Sequence, residues 1–474
     1  PRPAPFHQFT AISEQDLQKI IMGGNSKSCR LDPMPAYLLK ATLPILLPAL
    51  CKLVNGCLAQ GVMPDTLKAA AVAPLLKKPG MDVEDFKNFR PVSNLPYLGK
   101  LIEKVAVIQM ESHMTDNHLH ETFQSAYQAN HSTETALLRV SNDVLRAADH
   151  RQCTLLTLLD LSAAFDTIDH KQFLDRLEGE FGIKGQARTW LESYFRDRVQ
   201  AVYVDSTSSV TVPLQVGFPQ GSVIGPFGFK PFTKPLSAIA RKHGVCIHLY
   251  ADDTQLYISC DPEDVDSALV RLEACIEDIR NWMCENNLKL NANKTEFIAL
   301  GSKSQLSKLG DVSVRIGGEV IEASQSAKNI GVVFDSTMEM VAQVNQVTKS
   351  CYLHLRAISK IRKYLTDAAE KLVHAFVTSR MDCNNSLLYG TAEYLMDKLQ
   401  LIQNNAARVI TQKKKHDHIT STLMSLHWLP VRYRIQYKVL LIAYKSQNNK
   451  APVYLSDLLA PYVPGRSLRS DQQH

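Results

Sequence analysis

The chain has 474 residues, 45% of them hydrophobic, and carries 53 Lys and Arg against 47 Asp and Glu for a net charge of +6. That length can bury a large core and should divide into more than one domain, with a composition typical of globular proteins. The 10 cysteines are scattered without the short paired spacing of a zinc site, which argues for free thiols and a reducing compartment.

No cationic, apolar leader opens the chain, and its start at Pro1 rather than Met is expected of a sequence whose beginning lies upstream. Residues 1–70 read as helices: LQKIIMGG and YLLKATLPILLPALCKLVNGCL are apolar at helical spacing, with a Gly-Gly stop near residue 23. Around LPILLPALCKLV the apolar run is too short for a membrane span, and Pro44 and Pro48 are expected to break it.

Residues 71–335 mix strands and helices, as expected around a mostly antiparallel sheet. CTLLTLL, 153–159, is a short apolar run of the kind buried on both faces of a sheet, and Asp160 follows at its carboxyl end. The next stretch, LSAAFDTIDHKQFLDRL, turns to helical periodicity, where Asp166 and Asp169 suit helix capping. GFPQGSVIGP, 217–226, combines glycines that permit close backbone approach with Pro219 and with Gln220, a donor and an acceptor in one side chain. In LYADDTQLY, 249–257, the flanking alternation predicts a β-hairpin with Asp252 and Asp253 at its tip.

Residues 336–474 are expected to be mostly helical, with TDAAEKLVHAFVTSR as the clearest amphipathic segment. They hold 19 Lys and Arg against 9 Asp and Glu, leaving 34 against 38 for residues 1–335, so the positive excess sits at the carboxyl end. Such a region suits a nucleic acid backbone. The run Lys413, Lys414, Lys415, with His416 and His418, reads as a solvated loop, with a nuclear address as the alternative.

Adjacent carboxylates repel, so Asp252 and Asp253 either point into water or share a divalent cation. A third acid at the end of a buried strand is the layout needed to hold two cations at an in-line phosphoryl displacement. Taken singly, Asp160 is equally a strand-end or capping acid and Asp252-Asp253 an ordinary exposed turn.

The order is decisive. A strand ending in an acid, a Pro-Gln-Gly-Ser turn, then a Tyr-Ala-Asp-Asp hairpin resembles the palm of the non-LTR, or LINE-type, retrotransposon reverse transcriptases. The resemblance extends upstream through LDPMPAYLLK, FKNFRPVSNLPYLGKLIEKV and FQSAYQANHSTETALL, and downstream through WMCENNLKLNANKTEF, NIGVVFD and LHWLPVRYRIQYKVLLIAYK.

It implies an α+β right-hand polymerase: a helical extension at 1–70, fingers and palm at 71–335, and a basic helical thumb and C-terminal region at 336–474. The implied activity is RNA-directed DNA synthesis from an RNA template, a DNA primer and dNTPs. Asp160, Asp252 and Asp253, with the Leu161 carbonyl, would hold two Mg²⁺ ions, Mn²⁺ being the alternative. Phe165 matches the aromatic that excludes a ribose 2′ hydroxyl. Arg90 and Lys100 match residues that clasp the triphosphate, alongside Gln220 at the nucleotide. Lys294 is similar to a lysine that donates a proton to departing pyrophosphate. Pro219 and Gly221 match template or primer contacts, and Gly331 and Val332 lie in a segment, 329–335, that looks like a primer grip. The bland alternatives are surface cations for Arg90 and Lys100, a core aromatic for Phe165 and a turn charge for Lys294.

Some residues depart from the family pattern. Gly228, Lys230 and Pro231 interrupt what is usually an apolar helix after the turn, which predicts a distorted segment with a costly buried lysine. Gln128 replaces a usual arginine, and the endonuclease domain that normally precedes the polymerase is not in this sequence. Two function classes follow: a polymerase that is one segment of a longer retroelement protein, or a degenerate or repurposed copy that only binds nucleic acid. A two-metal nuclease fits less well, because the turn and the hairpin would then be unexplained.

Overall fold

A computed structural model describes residues 3–460 other than 26, 163, 164, 366 and 367; the closing SLRSDQQH lies outside the described residues. The chain is α+β and divides into two compact units, each assembled from three stretches of sequence: Pro1–Glu121, Leu161–Ile239 and Glu277–Asn291 in the first, Thr122–Asp160, Ala240–Ile276 and Ala292–His474 in the second.

The first unit opens on the helix Glu14–Gly23, capped by the Ser13 side chain on Asp16 N and ended at Gly24, as the Gly-Gly pair predicts. The expected break at Pro44 and Pro48 does not occur: Leu43–Gln60 is one helix of 18 residues. Pro44 sits in the first turn, where an N–H has no helical partner anyway, and Pro48 forfeits one bond inside an otherwise well-packed helix. By length and composition alone this helix is long and apolar enough to cross a membrane. Leu43, Leu47, Leu50, Val54 and Leu58 bury one of its faces within the unit. The sheet of this unit joins Phe89–Asn94 to Ala70–Leu76 antiparallel and Ala70–Leu76 to Val199–Val204 parallel.

The predicted distortion after the turn is likewise absent, since Ile224–Thr233 is a helix that continues through Pro231. Lys230 is buried but not abandoned, because its ammonium pairs with Glu111 on the helix Tyr97–Asp116. Gly228 is required there: a Cβ would lie 2.7 Å from Phe218 Cζ and 2.9 Å from Phe173 Cζ.

The second unit is built on a four-stranded antiparallel sheet in the order Glu296–Leu300, Cys153–Leu159, Asp253–Cys260, Cys246–Tyr250. Cys153–Leu159 is central and buried along nearly its whole length, as its nearly uninterrupted apolar sequence predicts. The helix Thr133–Asp149 covers the sheet, its start fixed by a capping box between Ser132 and Thr135. Below the sheet's edge strand a buried chain of hydrogen bonds links His248 to Ser125 (2.8 Å), Ser125 to Tyr454 (2.8 Å) and Tyr454 to Thr135 (3.1 Å). Burial, aided by Arg139 and His131, pushes His248 down to about 3, so it remains neutral.

Helices Val341–Ile361, Glu393–Thr411 and Val431–Gln447 follow, and their apolar residues share one core with the sheet: Leu156, Ile298 and Tyr257 pack in the same cluster as Leu355, Ile402 and Ile435. The segment expected to be one amphipathic helix is helical from Ala368 but passes through a π-turn, His374–Thr378, before Ser379–Asp382.

Candidate active site

The acids lie at one end of the sheet of the second unit. Leu159 pairs with Thr254 in the register of the two central strands, so Asp160 and Asp253 stand one step beyond that pair. The hairpin closes through Tyr250 and Asp253 with only Ala251 and Asp252 between them, which puts Ala251 at φ 57°. A non-glycine residue in the left-handed region costs about 1–2 kcal/mol and needs support. Gln124, a residue to which the sequence assigned no role, supplies it. Its buried carbonyl accepts from Ala251 N (3.1 Å) and Ala126 N (2.9 Å), while Leu249 N donates to Phe123 O and Ser125 N to Leu249 O. The signal was present in FQSAYQANHS, but nothing local shows that this loop lies beside the hairpin.

Asp160 accepts a hydrogen bond from Lys294 Nζ at 3.0 Å. Asp160, Asp253, Gln255, Lys294 and Asn329 line one cavity of about 600 Å³. Crowding within it pushes the Asp253 carboxyl up to about 6: partial burial is the largest cause, Asp252 and Asp160 add repulsion, and Lys294 opposes them. Among the described residues, no three His, Cys, Asp or Glu side chains already stand together as a metal cage. The donor chemistry nevertheless fits a hard divalent cation, since mutually repelling carboxylates are what such an ion neutralises.

Beside the cavity, Ser326–Asn329 and Val332–Asp335 form a hairpin whose two turn residues, Ile330 and Gly331, have φ 40° and 89°. Positive φ at both positions is the twist-matched hairpin geometry and favours glycine at the second. Val332 is buried, and Asn329 Nδ2 donates to Gln255 Oε1 at 2.7 Å, tying this hairpin to the strand that begins at Asp253.

The other candidate residues belong to the first unit. Arg90 is exposed on Phe89–Asn94, and Lys100 is half-buried in the first turn of Tyr97–Asp116. Leu161 pairs with Leu290 in a two-residue ribbon. Phe165 is half-buried and stacks on Phe229, with ring centroids 4.5 Å apart and planes 23° from parallel.

The turn after Gly217 is clamped from several sides. Gly217 N donates to Ile168 O and Phe218 N to Phe165 O, both at 2.8 Å, while Ser93 N donates to Gln220 O at 2.7 Å. Pro219 is buried, Gln220 half-buried and Gly221 exposed. Gly221, at φ 123°, passes so close to Ser93 that a Cβ would lie 2.6 Å from its carbonyl oxygen. Buried Glu103 accepts from Val223 N (2.6 Å) and Ile224 N (3.2 Å), anchoring the start of the next helix. Asp169 caps His170–Phe181 as expected, but Asp166 does not cap. Its carboxylate is drawn instead to Gln220, a long-range partner that helix periodicity cannot reveal.

The family model for reverse transcriptase (RNA-dependent DNA polymerase) matches residues 76–334. Among curated proteins, the chain is similar to the probable RNA-directed DNA polymerase from transposon BS of Drosophila melanogaster, at 25% identity over 76% of this chain and 40% of that protein. It is also similar to the RNA-directed DNA polymerase from mobile element jockey of the same fly, at 25% identity over 64% of this chain and 32% of the relative. A third relative is the retrovirus-related Pol polyprotein from type-1 retrotransposable element R1 of Bradysia coprophila, 27% identical over 59% of this chain and 27% of its own length. The chain therefore spans well under half the length of these relatives. It belongs to the reverse transcriptase family and, within it, to the enzymes of non-LTR retrotransposons.

Proposed function

We propose that the chain is an RNA-directed DNA polymerase that extends a DNA primer on an RNA template by adding dNTPs. The observation that carries this reading is the convergence of Asp160 and Asp253 on one cavity with Lys294, next to the Asp252 turn, in a chain of this family. In this reading residues 1–70 are a helical extension, 71–335 the fingers and palm, and 336–474 the thumb and C-terminal region.

Asp160, Asp252 and Asp253, with the Leu161 carbonyl, would hold two Mg²⁺ ions, or Mn²⁺ in their place. Such ions orient the triphosphate and stabilise the charge on the attacking and leaving oxygens. The chain's own residues do the rest. Arg90 and Lys100 bind phosphate oxygens, and Phe165 and Gln220 shape the nucleotide subsite. Lys294 Nζ, in hydrogen-bond contact with Asp160, carries the proton given to the leaving pyrophosphate. Pro219 and Gly221 support the template strand, and Gly331 and Val332 the primer.

The direct test is extension of a DNA primer on an RNA template by the purified chain with Mg²⁺ and all four dNTPs. Template-dependent elongation is expected. A protein that binds the primer–template but adds no nucleotide would identify a copy that has kept binding and lost catalysis.

A further inference from the structure

Gln220 Nε2 lies 3.1 Å from Asp166 Oδ1 and 3.0 Å from Oδ2, so one amide nitrogen bridges both oxygens of a half-buried carboxylate. An ionised carboxylate only accepts hydrogen bonds, whereas a primary amide has a donating and an accepting end that are nearly equal in shape. Facing Asp166, only the donating end fits.

The backbone makes the pairing obligatory. Residues 165–168 and 217–218 are zipped by the amide bonds of Gly217 to Ile168 and of Phe218 to Phe165. Gly217 sits directly on Asp166, where a Cβ would lie 2.6 Å from its carbonyl carbon and oxygen. Phe165, on the same segment, is held by Phe229. Asp166 and Gln220 are therefore presented to each other by two rigid backbone segments.

We propose that Asp166 is a positioning residue that sets the orientation of the Gln220 amide, turning Oε1 away from itself as the acceptor offered to the nucleotide. The role of Gln220 at that subsite rests on the proposed function; the orientation itself does not. Burial raises the Asp166 carboxyl above its ordinary range, and the Gln220 hydrogen bond opposes that rise.

Asparagine at 166 can donate or accept, and so should let the Gln220 amide flip. In protein labelled with ¹⁵N-glutamine, the side-chain signal lost in Gln220→Leu identifies the Gln220 amide. Asp166→Asn should shift or broaden that signal, and Asp166→Glu, which keeps an acceptor-only group, should largely preserve it. In primer extension, Asp166→Asn should raise the KM for dNTP roughly tenfold with a smaller change in kcat, as expected for a charge-assisted bond. Combined with Gln220→Leu it should cost nothing further.

An unchanged Gln220 signal in Asp166→Asn, or single effects that multiply in the double variant, would overturn the proposal. Should Asp166→Asn not fold, the wild-type signal decides: two amide protons exchanging as freely as those of exposed glutamines exclude the clamp, and slow exchange supports it. A wild-type chain that does not extend primers would remove the proposed function, and the amide spectrum would still decide the orientation independently.

Discussion

Lys294 Nζ stands 3.0 Å from Asp160 Oδ2, so the candidate proton donor and a candidate metal-binding carboxylate are each other's partner. The ion pair lines a cavity that Asp253 also lines, and Lys294 partly offsets the repulsion among its acids. Removing either partner should therefore impair the site, to different degrees. Asp252→Ala or Asp160→Ala should reduce primer extension by at least about 10³-fold while template binding persists, because a ligand is lost from the reacting centre. Lys294→Ala should slow extension by roughly 10²-fold, the scale of one proton-transfer group. Near-normal extension by Asp252→Ala would remove the metal assignment.

Asp253 predicts a pH dependence in the metal-free protein. Its carboxyl is held up to about 6 against an ordinary 3.8, so folding favours the protonated form. That contribution is complete below the ordinary value and is lost as pH rises through about 6. Because the Asp253 side chain, although partly desolvated by its crowded surroundings, still reaches solvent, screening limits the effect to about 1 kcal/mol. Thermal unfolding should show lower stability at pH 7 than at pH 5, a difference that Asp253→Asn reduces. Mg²⁺ should restore more stability at pH 7 than at pH 5. Equal stabilisation at both values would mean the cation binds elsewhere.

Phe165 has two jobs in this reading. Truncation to Ala should widen the sugar subsite and raise ribonucleotide incorporation relative to dNTPs. It should also remove the stacking on Phe229 and cost about 2 kcal/mol. Loss of stability with an unchanged sugar preference would make Phe165 a packing residue only.

Cutting the chain at residue 335 cannot isolate the basic region's contribution, because Leu355, Ile402 and Trp428 complete the core under the sheet. Charge removal on the surface does so cleanly. Lys349, Arg356 and Lys360 are exposed along Val341–Ile361. Replacing all three with Gln should lower the slope of log K against log salt for RNA–primer binding by about 2–3. An unchanged slope would place the backbone contacts on other cations.

The helix Ile224–Thr233 separates two substitutions that the sequence alone would group together. Lys230→Leu should destabilise by about 2–3 kcal/mol, since it strips Glu111 of a buried cation. Pro231→Ala should stabilise by about 1 kcal/mol or more, through a recovered helical bond to Phe227 O. Paired unfolding curves check the opposed signs, and stabilisation by Lys230→Leu would show that the buried pair contributes nothing.

Local sequence determined the elements whose cause is local. The nearly uninterrupted apolar run 153–159 became the central strand, the alternation around 249–257 the acid hairpin, and Gly23-Gly24 a helix end, because periodicity and backbone freedom act over a few residues. The three acids could be singled out as candidates from the order of their motifs along the chain and the resemblance that order carries. Tertiary structure decided what depends on partners far away in sequence. Pro48 and Pro231 are carried by helices that burial stabilises beyond their local propensity, and Lys230 is made tolerable by Glu111, 119 positions away. Gln124 supports the strained Ala251 from 127 positions away, and Asp166 exchanges a capping role for Gln220, 54 positions on. A buried or crowded polar group takes the partner that folding brings within hydrogen-bond reach, and no window along the sequence contains that distance.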